Sequence, residues 1–180
     1  MWRLVLSQLE KAKQAFLTND IEQAREVVSR EKRVNTFELK IDSDCENYIA
    51  LYSPVAVDLR LILSLIKISG TLERIGDFAE GLARHVIEYD CFLLTEELRD
   101  EIRFDTMFDT VISMLSDSYV ALESENTKLS GKILLKDGQV DELYLAAINI
   151  LSAYVQKKAE FALCALKTML MIRKIEQHEL

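Results

Sequence analysis

One proline, Pro54, and five glycines punctuate 180 residues, and that scarcity constrains the fold more than any other feature. Strands and hairpins need closely spaced turn residues, so a chain without them is left with long helices. Hydrophobic residues make up 49% of the chain, enough to bury a core in one elongated domain or two small ones and to argue against disorder. They recur at three- and four-residue spacing, the pattern of helices packed side by side.

The stripes predict six long helices. The first carries Trp2, Val5, Leu9, Ala12 and Phe16 and ends near "LTND", where Asn19, with Glu22 three residues on, has the spacing of a cap for the next helix. The second runs to about Tyr52, with Val27, Val34, Ile41 and Tyr48 at seven-residue steps and Phe37 beside them. In "YSPVAVD", Ser53 is placed to cap the third helix and Pro54 to occupy its first position, where no amide hydrogen is needed. The third has the longest stripe: Leu61, Leu65, Ile68, Leu72, Ile75, Ala79, Leu82 and Val86. That stripe reads as core, each large side chain contributing ~1.5–3 kcal/mol when fully buried, before entropy is charged against it.

"YDCFLLTEE" connects to a fourth helix marked by Phe104, Phe108, Val111, Leu115, Ser118 and Leu122, and a fifth begins near Asn126. The fifth echoes the second, Ile133 with Val27, Asp137 with Glu31, Val140 with Val34, Asp141 with Asn35 and Tyr154 with Tyr48. An all-α fold of two three-helix bundles in tandem pseudo-repeat follows, residues 1–92 and 93–180. The echo fades where Ile148 stands for Asp42 and Tyr144 for Glu38, and the closing "KIEQHEL" sets Glu176 over Glu73 but Leu180 over Asp77. The second bundle is therefore expected to be incomplete at its C-terminal end. Because the chain also begins inside an apolar stripe, it reads as a cut-down version of something longer.

The formal charge of −8, with Lys and Arg scattered, leaves no basic footprint for nucleic acid. An anionic lipid surface would repel such a chain, so membrane contact is expected only through partners or bridging cations. Cys45, Cys91 and Cys164 lie far apart without a CxxC pair and read as small residues of a reducing compartment. The most apolar run, "LRLILSLIKISG", is broken by Arg60 and Lys67 and preceded by Asp58, short of the roughly 20 apolar residues of a bilayer span. A cytoplasmic location is expected.

Two helices each carry a line of carboxylates. Glu31, Asn35, Glu38 and Asp42 on the second, and Glu73, Asp77, Glu80 and Arg84 on the third, recur at helical spacing. At 100° per residue each set falls within ~60° of arc. Like charges one turn apart cost ~0.2–0.5 kcal/mol a pair, so a neutralising partner is worth seeking. Oxygen-only donors suit hard cations such as Mg²⁺, Ca²⁺ or Mn²⁺, and carboxylates also bridge iron. A solvated outer face has the same spacing, and spacing does not decide between the two.

Other chemistry is poorly represented. Leu82 and Ile175 stand three residues before His85 and His178, where a di-iron bundle oxidase needs glutamates. His85 is most simply a helix-end residue. No phosphate-binding glycine loop, nucleophile elbow or Ser/His/Asp set appears, so no catalytic residues are visible and the chain does not read as an enzyme. Asp58 suits a helix N-terminus, and Arg60 is placed to pair with a neighbouring helix.

Taken together, "EKRVNTFELKID", "ALYSPVAVDLRLILSLIKI" and "LERIGDFAEGLARHV" resemble the phosphate uptake regulator family, PhoU. The resemblance is dense from Glu31 to Val86 and partial later, through "DGQVDELY" and "MIRKIEQ". It implies two three-helix bundles, a homodimer, and repression of phosphate uptake and phosphate-starvation signalling when phosphate is plentiful. It also implies partners, a phosphate ABC transporter through its ATPase and a membrane sensor histidine kinase. The family's acidic signatures bind metal clusters, iron or zinc. By position, Glu73 and Asp77 match fully, Glu31 and Asn35 form the corresponding pair on the second helix, and Asp137 and Asp141 match in the second unit. Leu180 breaks the last signature, so a metal is expected in the first unit rather than the second.

The resulting expectation is a non-enzymatic, metal-binding adaptor. Three other readings stand beside it: the cytoplasmic regulatory domain of a sodium/phosphate cotransporter, a carboxylate-bridged metal enzyme, and a purely structural scaffold.

Overall fold

The computed structural model describes residues 1–88, 95–124, 126, 128–157 and 162–177. Among them lie seven helices and no strand: α1 (Trp2–Thr18), α2 (Ile21–Tyr52), α3 (Val57–Glu88), α4 (Glu96–Glu101), α5 (Phe104–Glu123), α6 (Lys128–Lys157) and α7 (Ala162–Gln177). The chain divides into two compact units, Met1–Glu88 and Tyr89–Leu180.

In the first unit α1 packs on both α2 and α3, which pair along their length. Val5, Leu9, Ala12 and Ala15 of α1, Val27 and Val34 of α2, and Leu72, Ile75, Ala79 and Leu82 of α3 are buried. A Cβ added at Gly76 would sit 3.1 Å from Val34 Cγ1, so glycine leaves room there for a close approach of α2 and α3. On the flank, Lys11 Nζ reaches Glu26 Oε1 at 2.7 Å, and Arg30 joins the same carboxylate.

The helix ends differ from the sequence reading. Asn19 does not cap α2. It closes α1 in the left-handed conformation (φ 54°), its N–H bonded to the Ala15 carbonyl, a geometry asparagine tolerates better than most residues. Asp20 is the cap, its carboxylate accepting from the Gln23 N–H at 3.0 Å. Ser53 likewise ends α2 (φ 45°) rather than starting α3, which begins at Val57. Pro54 offers no N–H to continue α2, so it acts as a stop and not as a first helical residue.

The stripes are also less buried than expected. Phe37, Tyr48 and Leu61 are 37%, 47% and 54% exposed, and Ile41, Leu65 and Ile68 are half-buried. The cause is length: α1 has 17 residues while α2 and α3 have 32 each. Beyond α1 only Cys45, Ile62 and Ser69 stay buried between the pair.

In the second unit part of the expected connector is the helix α4, capped by Thr95, whose hydroxyl accepts from the Leu98 N–H at 3.2 Å; residues 89–94 lie outside the described residues. Leu98 and Ile102 are buried, as are Phe104, Phe108, Val111 and Leu115 of α5, while Leu122 is exposed. On α6 the buried residues are Val140, Ala147 and Leu151, and on α7 Ala165, Thr168, Met171 and Ile172. Cys45 is buried and Cys164 half-buried; Cys91 lies outside the described residues.

Candidate functional site

The carboxylate rows of α2 and α3 face one another. The Gly76–Val34 approach sets the helices close, and the rows run beside that contact. Glu31, Asn35, Glu38 and Asp42 are all half-buried, as are Glu73 and Glu80, whereas Asp77 and Arg84 are exposed. At one end the row is closed by ion pairing, Arg84 Nη2 donating to Glu80 Oε1 at 2.7 Å. At the other end Ser69 Oγ donates to Asp42 Oδ1 at 3.2 Å, tying α3 to α2.

Between those ends the charges are mutually unfavourable. Burial, then the Glu80 and Asp77 carboxylates, push the Glu31 carboxyl above its ordinary value; the Asn35 side chain, hydrogen-bonded to it, and Arg84 act in the opposite sense. Burial raises Glu73 as well, followed by Asp77, Glu38 and Glu31, with Arg74 opposing. Each glutamate thus senses acids on the facing helix. Asn35 Oδ1 is buried without a hydrogen-bond donor, an acceptor waiting for a positive partner.

These residues fit a divalent cation by chemistry: an all-oxygen donor set, several charges of one sign, and one buried orphan acceptor. Among the described residues no group of three or more acidic, histidine or cysteine side chains is already gathered as a ligand set, so the acids are neighbours across a groove rather than a preformed cage. Glu38 and Glu80 belong to this site as much as Glu31, Asn35, Glu73 and Asp77. Their helical spacing was the available signal.

The second unit is different. Asp137 is half-buried and Asp141 exposed on α6. The residues that the sequence repeat sets against Glu73 and Asp77 are Glu176, whose side chain lies outside the described residues, and Leu180, which lies outside them altogether. Beside Asp137, Lys136 Nζ donates to Ser113 and to Asp117 Oδ2 at 2.7 Å, joining α6 to α5 much as the Lys11–Glu26 pair joins α1 to α2. His85, expected at a helix end, is in the last turn of α3, its ring centroid 6.4 Å from that of Phe16. Asp58 is in the first turn of α3; Arg60 forms no ion pair among the described residues.

The PhoU domain family model matches residues 1–86 and 104–177, most of both units. The chain belongs to the PhoU family. It is 36% identical over 157 residues to the phosphate-specific transport system accessory protein PhoU homolog of Aquifex aeolicus, which spans 86% of this chain and 69% of that protein. Against the Escherichia coli phosphate-specific transport system accessory protein PhoU, identity is 28% over 177 residues, 98% of this chain and 72% of the other. The crystal structure of PhoU from Pseudomonas aeruginosa matches with a TM-score of 0.87 at 27% identity, over 99% of this chain and 85% of that one. Both carboxylate rows fall within the first PhoU segment, and the second segment holds Asp137 and Asp141 but stops before Leu180. No described helix is long and apolar enough to cross a membrane.

Proposed function

We infer that this chain is an accessory regulator of a phosphate transport system, a non-enzymatic helical adaptor that docks partners on its α2–α3 carboxylate face and biases their conformations. The observation that carries the reading is the opposition of the two rows, with Glu31 and Glu73 both held above their ordinary values by burial and by acids on the facing helix. A surface that strains its own charges in this way favours a cation or a basic partner over bare solvent. PhoU membership and the names of the relatives supply the phosphate-transport context.

In this reading the protein works in the cytoplasm as a homodimer, damps uptake and starvation signalling when phosphate is plentiful, and meets the ATPase of a phosphate ABC transporter and a sensor histidine kinase. Glu31, Asn35, Glu73 and Asp77, with Glu38 and Glu80, would hold iron, zinc or another divalent cation. Asp137 and Asp141 are the weaker counterpart in the second unit. A bound cation would supply charge neutralisation and a bridging point for partner carboxylates. The chain's own residues orient the face: Ser69 fixes Asp42, Asn35 positions Glu31, and Arg84 holds Glu80.

The test pairs metal analysis with uptake. Protein purified without chelator or nickel is assayed by mass spectrometry for metal, alongside Glu73→Ala/Asp77→Ala. Phosphate uptake is then followed in cells lacking their own PhoU protein. Stoichiometric metal lost in the double variant, together with uptake control restored by wild type alone, supports the reading. Metal-free wild type with uptake control intact leaves a bare docking face. No effect of wild type on uptake rejects the regulatory role.

A further inference from the structure

The helix α7 carries apolar residues on two opposite sides. Its inner side packs on α6 and buries Ala165, Thr168, Met171 and Ile172. At 100° per residue, Leu163, Leu166 and Leu170 fall within ~60° of one another on the opposite side, and they are 64%, 55% and 54% exposed. A helix that is apolar all round is ordinarily covered all round, and a contiguous apolar stripe left on a protein surface marks a place of contact.

The charges around that stripe are of one sign. By helical spacing Lys167 and Lys174 border it on one flank and Arg173 on the other, and no Asp or Glu occurs from residue 162 to residue 175. The whole chain has a formal charge of −8, which taken alone predicts repulsion from an anionic lipid surface. Net charge is a poor measure for a face this small. At physiological ionic strength charges farther off than ~8 Å are largely screened, so whatever approaches α7 meets its own lysines and arginine first. Shape matters as well: the leucines stand on the crest of one helix, opposite the side that packs on α6, and not in a groove between two. A partner helix lays its apolar face into a groove. A crest of leucines bordered on both flanks by Lys and Arg suits a plane, where the leucines dip below the headgroups and the long basic side chains reach back to them.

We propose that α7 docks directly on an anionic lipid surface, lying along it through Leu163, Leu166 and Leu170 with Lys167, Arg173 and Lys174 against the acidic headgroups. The helix rests on the bilayer and does not span it, since no described helix is long and apolar enough to cross one. Three leucines and three bases over ~17 Å of helix make a weak and reversible contact. The crest belongs to the second unit and the carboxylate groove to the first, so lipid docking needs neither a metal nor the regulatory reading. A second copy is the poorer occupant, because like crests packed together bring two sets of bases into one apolar seam.

The test is flotation with extruded vesicles at low salt, in chelator so that no cation bridges the acids to lipid. Vesicles of equal parts phosphatidylglycerol and phosphatidylcholine are expected to carry the protein, pure phosphatidylcholine to bind it about tenfold or more weakly, and about 0.5 M salt to release it. Binding to the anionic vesicles should fall about tenfold or more in Leu166→Asp/Leu170→Asp and in Arg173→Glu/Lys174→Glu. Lys128→Glu/Lys132→Glu makes the same charge change on α6 and should leave binding within about twofold. All six residues are exposed, so these variants keep the fold, which circular dichroism checks. No binding to the anionic vesicles, equal binding to the neutral ones, or indifference to Leu166→Asp/Leu170→Asp overturns the proposal. Equal weakening by Lys128→Glu/Lys132→Glu reduces the effect to net charge, and a lipid-free dimer in sedimentation that Leu166→Asp/Leu170→Asp splits assigns the crest to a second copy; either result overturns lipid docking.

Discussion

Gly76 and Gly81 share α3 but answer oppositely to one added methyl group. Nothing lies within 4 Å of a Cβ at Gly81, so Gly81→Ala gains helix propensity without a clash and should stabilise the protein by ~0.5–1 kcal/mol in chemical denaturation. At Gly76 the methyl meets buried, β-branched Val34 at 3.1 Å. Overpacking of ~1–3 kcal/mol then outweighs the propensity gain, and Gly76→Ala should lose about 1 kcal/mol. The Glu73 carboxyl, raised above its ordinary 4.5, carries a pH signature. From pH 4.5 up to the raised value the folded chain holds a proton that the unfolded chain has released, so stability falls as pH rises through that window. In chelator at pH 7, Glu73→Gln should therefore be more stable than wild type by ~0.2–0.5 kcal/mol, a gain that fades toward pH 4.5. Melting curves across that range measure it. Spacing alone put Glu31, Glu38, Glu73 and Glu80 in lines along single helices. It could not show that the lines face each other or that Asn35 Oδ1 is buried between them, because both depend on the interhelical register set at Gly76 and Val34.

At the scale of elements, existence was legible and ends were not. Periodicity over many turns identified α1, α2, α3, α5 and α6, since a long stripe has only one regular structure that gathers it onto one face. Ends turn on single residues, and at both links of the first unit the candidate cap belonged to the preceding helix. Asp20 now has a definite role, and Asp20→Ala should cost about 1 kcal/mol in urea titration while Asn19→Gly is nearly neutral or favourable. The short α4, which begins at the end of "YDCFLLTEE" and runs to Glu101, was missed because six residues carry too little periodicity to register. Overestimated burial at Phe37, Tyr48 and Leu61 has another origin: a stripe records which residues face one way, and whether a third helix reaches them depends on the length of that helix.

Across the whole molecule the repeat is structural before it is chemical. Buried Val34 and Val140 occupy matching places in α2 and α6, yet of the polar row on α2 only Glu31 and Asn35 have acidic counterparts on α6, Asp137 and Asp141, while Tyr144 and Ile148 stand for Glu38 and Asp42. Metal content should accordingly be asymmetric. Glu73→Ala/Asp77→Ala is expected to remove most of the divalent metal retained on gel filtration, and Asp137→Ala/Asp141→Ala to leave it within error, both read by mass spectrometry. Equal losses would place a comparable site in the second unit.

The short links at Asn19–Asp20 and Ser53–Ala56 bear on the order of folding events. Consecutive antiparallel helices meet neighbours close in sequence, the wiring that lets helical bundles fold in microseconds to milliseconds. The two carboxylate rows sit on opposite arms of one such hairpin and come within reach turn by turn as its arms zip, Asp42 and Glu38 meeting α3 before Gly76 is reached and Glu31 after it. Any affinity for cations would thus be completed late, as a product of closure rather than its cause. Any ion held there resists the reopening of α2 from α3, acting as a latch fastened after the door has shut.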